Sequence, residues 1–270
     1  MTSISDFGLF RIDSAFIKTR RIRSAALMPY FTFGFPTIDE SIEIITSIAQ
    51  NCDLLELGIP FSDPIADGPT IQRSTQRALD NGISVSRCFE LLEQIRTKGA
   101  NIPILLMSYF NPILAYGEER FVQDARTAGA DGFIIPDLPP EESSQMEEVS
   151  EKSGLVLINF LAPTSNSVRI SIVTGRAKGF IYMVSVSGVT GARSSLDKSL
   201  GDFVKGINQR TPTPVAVGFG VSNAAQAATI GTYADGVIIG SALINAVEAA
   251  EDKPAAAAEL LEEINQALAL

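Results

Sequence analysis

The stretch ADGFII (residues 130–135) returns 104 residues later as ADGVII (234–239). Each copy follows a polar, helix-like segment. Each begins with a small residue and an Asp-Gly pair, continues as an unbroken apolar run, and gives way to Pro, Gly, Asp or Ser. Variations on this phrase recur in NCDLLELGIPFSD (51–63), KSGLVLINFLAPT (152–164) and AKGFIYMVSVSGV (177–189). Three further apolar runs, LMPYFTFG (27–34), NIPILLMSY (101–109) and TPVAVGFG (213–220), bring the number to eight. The runs are apolar throughout rather than alternating, as strands covered on both faces require. Amphipathic segments such as IDESIEIITSIAQ (38–50) and SRCFELLEQIRTKG (86–99) separate them at helical spacing. Eight such units predict an α/β fold, a single (β/α)8 TIM barrel with an extra N-terminal helix, spanning residues 1–270 as one domain. A doubly wound open sheet shares the alternation, but no G-x-G-x-x-G opens it. Thr37 and Thr164, each after a proline, are predicted helix caps.

Composition narrows the function. The 270 residues are 46% hydrophobic and 19% charged, which suits a large core rather than a disordered chain. A net charge of -10 with no basic cluster argues against nucleic acid or an anionic membrane as partner. No apolar run is long enough to span a bilayer, and the opening residues lack a secretory pattern. With Cys52 and Cys88 as the only cysteines, a reducing, cytoplasmic setting is expected, and Cys52 is predicted to open a strand and be buried. The chain has no histidine, which removes the commonest general base and zinc ligand and makes a Ser-His-Asp triad impossible.

In a barrel of this kind the active site lies at the C-terminal ends of the strands. Glu56 is predicted late in the second strand, among Leu54, Leu55 and Leu57. A carboxyl so placed is poorly solvated, its pKa rises toward neutrality, and it both gives and takes protons. The alternative is a structural pairing with an arginine. Asp63 and Asp67 follow in a turn-rich loop; physical chemistry alone does not rank them. Pro136 and Asp137 are expected at the end of the fourth strand. Gly188, Thr190 and Gly191 follow the sixth strand, Gly218 and Gly220 end the seventh, and Gly240 and Ser241 end the eighth. Amides freed by glycine and aimed from a helix N-terminus attract phosphate, although any one glycine is as well explained by a turn. Tyr30, Tyr109, Tyr182 and Phe219 could line an apolar pocket. No lysine falls at the C-terminal end of a predicted strand, so a Schiff base is not expected, nor is a metal. Carboxylate acid–base chemistry remains.

The segment LELGIPFSDPIADGPTIQ (55–72) resembles the signature of the tryptophan synthase alpha subunit family. The resemblance extends through MPYFTFGFP (28–36), PILLMSYFNPI (103–113), GFIIPDLPPEES (132–143), SGVTGAR (187–193), VGFGVS (217–222) and GVIIGSAL (236–243). It implies retro-aldol cleavage of indole-3-glycerol phosphate to indole and glyceraldehyde 3-phosphate, in tryptophan biosynthesis. It further implies no metal or cofactor on this chain, with pyridoxal phosphate only on a beta subunit joined in an alpha2-beta2 complex. On this resemblance Glu56 is the catalytic acid/base and Asp67 the second catalytic carboxylate, which selects Asp67 over Asp63. Gly191, Gly218, Gly220, Gly240 and Ser241 fall in the phosphate region. Tyr30, Met107, Tyr182 and Phe219 line the indole pocket, and Thr190 orients Asp67 on loop closure. Two positions depart from the usual pattern: Tyr30 stands where many bacterial members carry Phe, and Val186 where many carry Arg. A stand-alone lyase of the same chemistry and a catalytically silent activator of a beta subunit are the alternatives.

Overall fold

The computed structural model describes residues 7–184, 193–218 and 220–270. Eight parallel strands close on themselves: β1 (Ala26–Thr32), β2 (Leu55–Gly58), β3 (Ile104–Met107), β4 (Gly132–Ile134), β5 (Val156–Leu161), β6 (Ile181–Val184), β7 (Val215–Gly218) and β8 (Gly236–Ile239). Pairing of β8 with β1, Ala26 opposite Gly236, closes the barrel and excludes the open sheet. Around it stand α1 (Phe7–Thr19), α2 (Ile38–Gln50), α3 (Pro69–Asp80), α4 (Val85–Thr97), α5 (Phe110–Tyr116), α6 (Glu118–Ala128), α7 (Ser144–Lys152), α8 (Ser167–Arg176), α9 (Arg193–Asn208), α10 (Ala224–Gly231), α11 (Ser241–Ala249) and α12 (Lys253–Leu268). Among the described residues no helix is long and apolar enough to cross a membrane.

Strand alternation divides the core in two. Met28, Leu54, Leu105, Ile134, Ile158, Phe180, Ala216 and Ile238 meet in the barrel interior. Their neighbours Leu27, Leu55, Ile104, Phe133, Leu157 and Val237 pack outward against the helices. This explains the leucines around Glu56. Leu55 and Leu57 serve the outer core, whereas Glu56 points inward above Leu54. The predicted extra helix is α1. Its Ile12 and Phe16 enter the interior cluster from the N-terminal end and seal it, with Phe16 and Phe180 rings 6.0 Å apart.

The Asp of the repeated phrase belongs to that sealed end. Asp131 accepts the Ile104 amide at 2.8 Å, and Asp235 accepts the Val215 amide at 2.9 Å. Asp53 does the same for Leu27 at 2.9 Å. Asp131 and Asp235 thus satisfy the first amide of a neighbouring strand and Asp53 the second amide of β1, and each is paired with arginine: Asp131 with Arg11 and Arg96, Asp235 with Arg20, Asp53 with Arg23. Arg11 and Arg20 lie on or just after α1, so the same ion pairs clamp the extra helix to the barrel. The glycine after each repeated Asp is a packing requirement: a Cβ at Gly132 would lie 2.4 Å from the Val156 carbonyl oxygen, and one at Gly236 would lie 2.8 Å from Met28 Sδ.

Three local expectations need correction. Thr37 caps α2 by accepting the Glu40 amide, but Thr164 caps nothing; α8 begins later, where the Asn166 side chain accepts from Arg169. Cys52 is half-buried in a bend before β2 rather than a strand residue. Glu56 is the second residue of β2, two below its end at Gly58, and so deeper than a late-strand position.

Candidate active site

Glu56 is 3% exposed, and its Oε2 has no hydrogen-bond partner. It pairs in register with Tyr30 on one side and Leu105 on the other. Among the described residues no lysine or arginine offsets a charge on this carboxyl. Burial, with added repulsion from Asp67, pushes its pKa up to about 8. No arginine pairs with Glu56 among the described residues, so the alternative, a structural ion pair, is not seen there.

Asp67 reaches the same space from the loop between β2 and α3. It sits just before Gly68, the N-cap of α3, and Pro69, its first residue. Gln72 on that helix donates to the Asp67 carbonyl oxygen at 2.8 Å. Burial raises the Asp67 carboxyl to about 6, against the lowering effect of a hydrogen bond with the Tyr109 hydroxyl. That hydroxyl also accepts the Ala66 amide at 2.9 Å, while the Tyr109 ring lies 5.6 Å from that of Phe61. Tyr109 therefore ties down the loop at both ends of the Ala66–Asp67 step. The sequence marks it only as an aromatic near a strand end; its partners lie 43 positions away. Asp63 is exposed and accepts from the Ser62 hydroxyl.

Tyr30, Gly58, Asp67, Met107 and Tyr109 line one narrow crevice at the C-terminal mouth. Its lining also includes Ile59, Phe61, Thr75 and Ser108, so one carboxyl and several hydroxyls stand among apolar and aromatic side chains. Tyr182 stands across the barrel, its phenol pushed upward by burial and then by the charges of Glu56 and Asp67. Two glycines make room for these tyrosines: a Cβ at Gly58 would lie 2.1 Å from the Tyr30 hydroxyl, and one at Gly218 would lie 2.6 Å from the Tyr182 hydroxyl. Gly218 thus has a steric reason to be glycine, independent of any ligand.

Gly240 is the N-cap of α11 and Ser241 its first residue, and glycine has no side chain to cap the helix's leading amides. Ser241 is exposed and Gly240 half-buried beside Tyr30, whose Cδ1 would lie 3.3 Å from a Cβ at Gly240. An anion at these amides would meet the positive end of the helix dipole, within reach of the pocket wall. Gly220 takes a left-handed φ of 80° after β7. Asp137 does not face the crevice chemistry: its carboxylate accepts the Phe110 amide at 2.9 and 3.1 Å and so caps α5. Val186, Gly188, Thr190, Gly191 and Phe219 lie outside the described residues.

Comparison with known proteins agrees with this geometry. The sequence profile of the family described as Tryptophan synthase alpha chain matches residues 16–269. The Tryptophan synthase alpha chain of Chloroflexus aurantiacus is 45% identical over 262 residues, covering 96% of this chain and 98% of the relative. The crystal structure of tryptophan synthase subunit alpha from Legionella pneumophila superposes with a TM-score of 0.87 at 37% identity, covering 96% of this chain and 98% of that one. A chain of Mycobacterium tuberculosis tryptophan synthase gives the same TM-score of 0.87 at 37% identity, over 96% of this chain and 98% of that one.

Proposed function

This chain belongs to the tryptophan synthase alpha chain family, and from that membership we infer that it cleaves indole-3-glycerol phosphate to indole and glyceraldehyde 3-phosphate as a carbon–carbon lyase. The observation that carries the residue assignment is Glu56: an inward, buried carboxyl, unpaired with any cation among the described residues, in a chain without histidine.

In the proposed mechanism Glu56 begins protonated. It delivers its proton to the indole ring carbon that bears the glycerol chain, and positive charge develops on the ring nitrogen. The Asp67 carboxylate accepts the indole N–H and stabilises that charge. Glu56, now a carboxylate, takes the proton from the hydroxyl on the adjacent carbon of the side chain. The electrons of that O–H form the aldehyde carbonyl, the carbon–carbon bond breaks, and its electron pair restores the aromatic ring. Glu56 ends protonated, as it began, so the cycle needs no outside acid or base. A pKa near 8 lets one group serve both steps. Tyr30, Met107, Tyr182 and Phe219 would hold the indole ring. The phosphate would sit at Gly240 and Ser241 with Gly191, Gly218 and Gly220, and Thr190 would orient Asp67.

On the same reading the chain acts as one domain over residues 1–270, in the cytoplasm, without a cofactor of its own. Its partner is a beta subunit, in an alpha2-beta2 complex, that carries pyridoxal phosphate and consumes the indole. Ile65, 82% exposed on the loop that holds Asp67, is suited to meet such a partner. The test is release of indole from indole-3-glycerol phosphate by the purified chain, with and without added beta subunit. Cleavage stimulated by the partner is expected; no indole under either condition would overturn the reading.

A further inference from the structure

Three buried hydroxyls join the crevice wall to helix α3. Tyr30 Oη lies 3.4 Å from Thr32 Oγ1, and Thr32 Oγ1 lies 2.8 Å from Ser74 Oγ. Ser74 donates its own proton to the Ile71 carbonyl at 2.8 Å. A hydroxyl has one proton to give, so this last bond fixes the direction of the others. Ser74 accepts from Thr32, and Thr32 accepts from Tyr30. The chain runs from Tyr30 through Thr32 and Ser74 to the α3 backbone. Thr32 and Ser74 are 0% exposed and Tyr30 7%, so water does not compete for these bonds.

A serine bonding back to its own helix is commonplace and positions nothing else. Here the second bond crosses to another element. It fixes α3 against β1, and Asp67 is joined to α3 by Gly68 and by the Gln72 bond to its carbonyl. Tyr30, in turn, is in register with Glu56. We propose that Ser74 is a positioning residue for the cleavage reaction: through Thr32 and the Tyr30 hydroxyl it holds α3, and with it the Asp67 carboxylate, at a fixed setting relative to the strand pair bearing Tyr30 and Glu56. This rests on the lyase reading above and adds to it a contact that a phenylalanine at position 30 would not provide.

The test uses the full chain with Ser74→Ala, Tyr30→Phe, the two combined, Thr32→Val and Thr32→Ser. Steady-state cleavage is read alongside amide hydrogen exchange across residues 64–72 without substrate. Loss of one buried hydrogen bond is expected to lower kcat by about three- to tenfold in Ser74→Ala and Thr32→Val, with KM within about twofold of wild type. Thr32→Ser, which keeps the hydroxyl, is expected to retain most of kcat. The double variant is expected to be no worse than its weaker parent, because either change breaks the same chain. Exchange across 64–72 is expected to quicken in Ser74→Ala, Thr32→Val and Tyr30→Phe, and to keep the wild-type rate in Thr32→Ser. Wild-type kcat in Ser74→Ala, multiplying losses in the double variant, or unchanged exchange would each overturn the proposal. A wild-type chain that releases no indole would instead count against the lyase reading, and exchange would still decide whether the hydroxyl chain holds the loop.

Discussion

Asp53 and Glu56, three positions apart, occupy opposite electrostatic worlds. Asp53 accepts the Leu27 amide and pairs with Arg23 at the closed end of the barrel. Glu56 Oε2, one barrel layer toward the open end, has no partner. Asp131 and Asp235 repeat the Asp53 arrangement, so the strand-entry carboxylates are neutralised by arginine and the inward carboxylate near the mouth is not. A site for proton transfer needs that asymmetry. An adjacent arginine favours the charged form of a carboxylate, which has no proton to deliver to carbon.

Glu56→Gln is expected to lower kcat by about 10²–10⁴-fold, the usual contribution of a general acid–base group. The same change is expected to stabilise the fold at neutral and higher pH. The native pKa of Glu56, about 8, exceeds its ordinary 4.5. Between those values the native state binds more protons than the unfolded state, so its stability falls as pH rises through the window. Gln is neutral throughout and removes that loss, on the order of 4 kcal/mol at pH 8. Urea denaturation of both proteins at pH 5 and pH 8.5 checks it. Midpoints that shift identically with pH would show that Glu56 is not held neutral.

The pH dependence of cleavage follows from both carboxyls. Glu56 must carry its proton and Asp67 must have lost its own. With values of about 8 and about 6, kcat/KM is expected to be bell-shaped, falling above the first and below the second. In the proposed mechanism Asp67→Asn removes the charge that stabilises the ring cation. It is expected to cost about 10²–10³-fold in kcat, as loss of one preorganised electrostatic group does, and to abolish the acid limb of the residual profile. An acid limb that persists in Asp67→Asn would assign it to another group.

The barrel was legible because each strand is buried on both faces and so announces itself as an apolar run of nearly fixed length. ADGFII and ADGVII look alike because Asp131 and Asp235 do the same job, capping a neighbour's first amide and binding an arginine. That job depends on arginines from α1 and α4, distant in sequence, and is not written in the motif itself. Glu56 was legible as an anomaly, a charge inside an apolar run. Asp67 was not separable from Asp63 by physics, since both sit in turn-rich sequence. What distinguishes Asp67 is its hydrogen bond with Tyr109, together with the nearness of Glu56, and these are visible only once β2 and β3 stand side by side. The Thr164 expectation failed because Asn166, two residues on, has the better-placed side-chain carbonyl for the Arg169 amide, 2.9 Å away. A proline-threonine pair alone does not decide the start of a helix: Pro36–Thr37 leads directly into α2, whereas Pro163–Thr164 is followed by the capping Asn166.

The anion site has its own signature. Ser241→Asp puts a negative charge on the first residue of α11, where the leading amides would hold the phosphate. An acidic residue in a first helical turn does not harm a helix, so thermal stability is expected to be unchanged or slightly raised. Affinity for glyceraldehyde 3-phosphate is expected to fall at least tenfold through charge repulsion. Titration calorimetry, with a melting curve as control, separates the two effects. Unchanged affinity would place the phosphate elsewhere.

Gly58 tests whether the pocket depends on tyrosine packing. A methyl group there would lie 2.1 Å from the Tyr30 hydroxyl, 2.6 Å from Cζ and 2.8 Å from Cε2, so the ring cannot stay where it is. It can shift toward Gly240, whose missing Cβ would stand 3.3 Å from Tyr30 Cδ1, or into the crevice lined by Asp67 and Met107. Gly58→Ala is expected to cost about 1–3 kcal/mol by overpacking and to raise KM while lowering kcat. Adding Tyr30→Phe removes only the atom at 2.1 Å and leaves the ring carbons in conflict, so it is expected to recover part of the stability and little of the activity. Full recovery in that double variant would mean that the hydroxyl alone, rather than the whole ring, sets the space at Gly58.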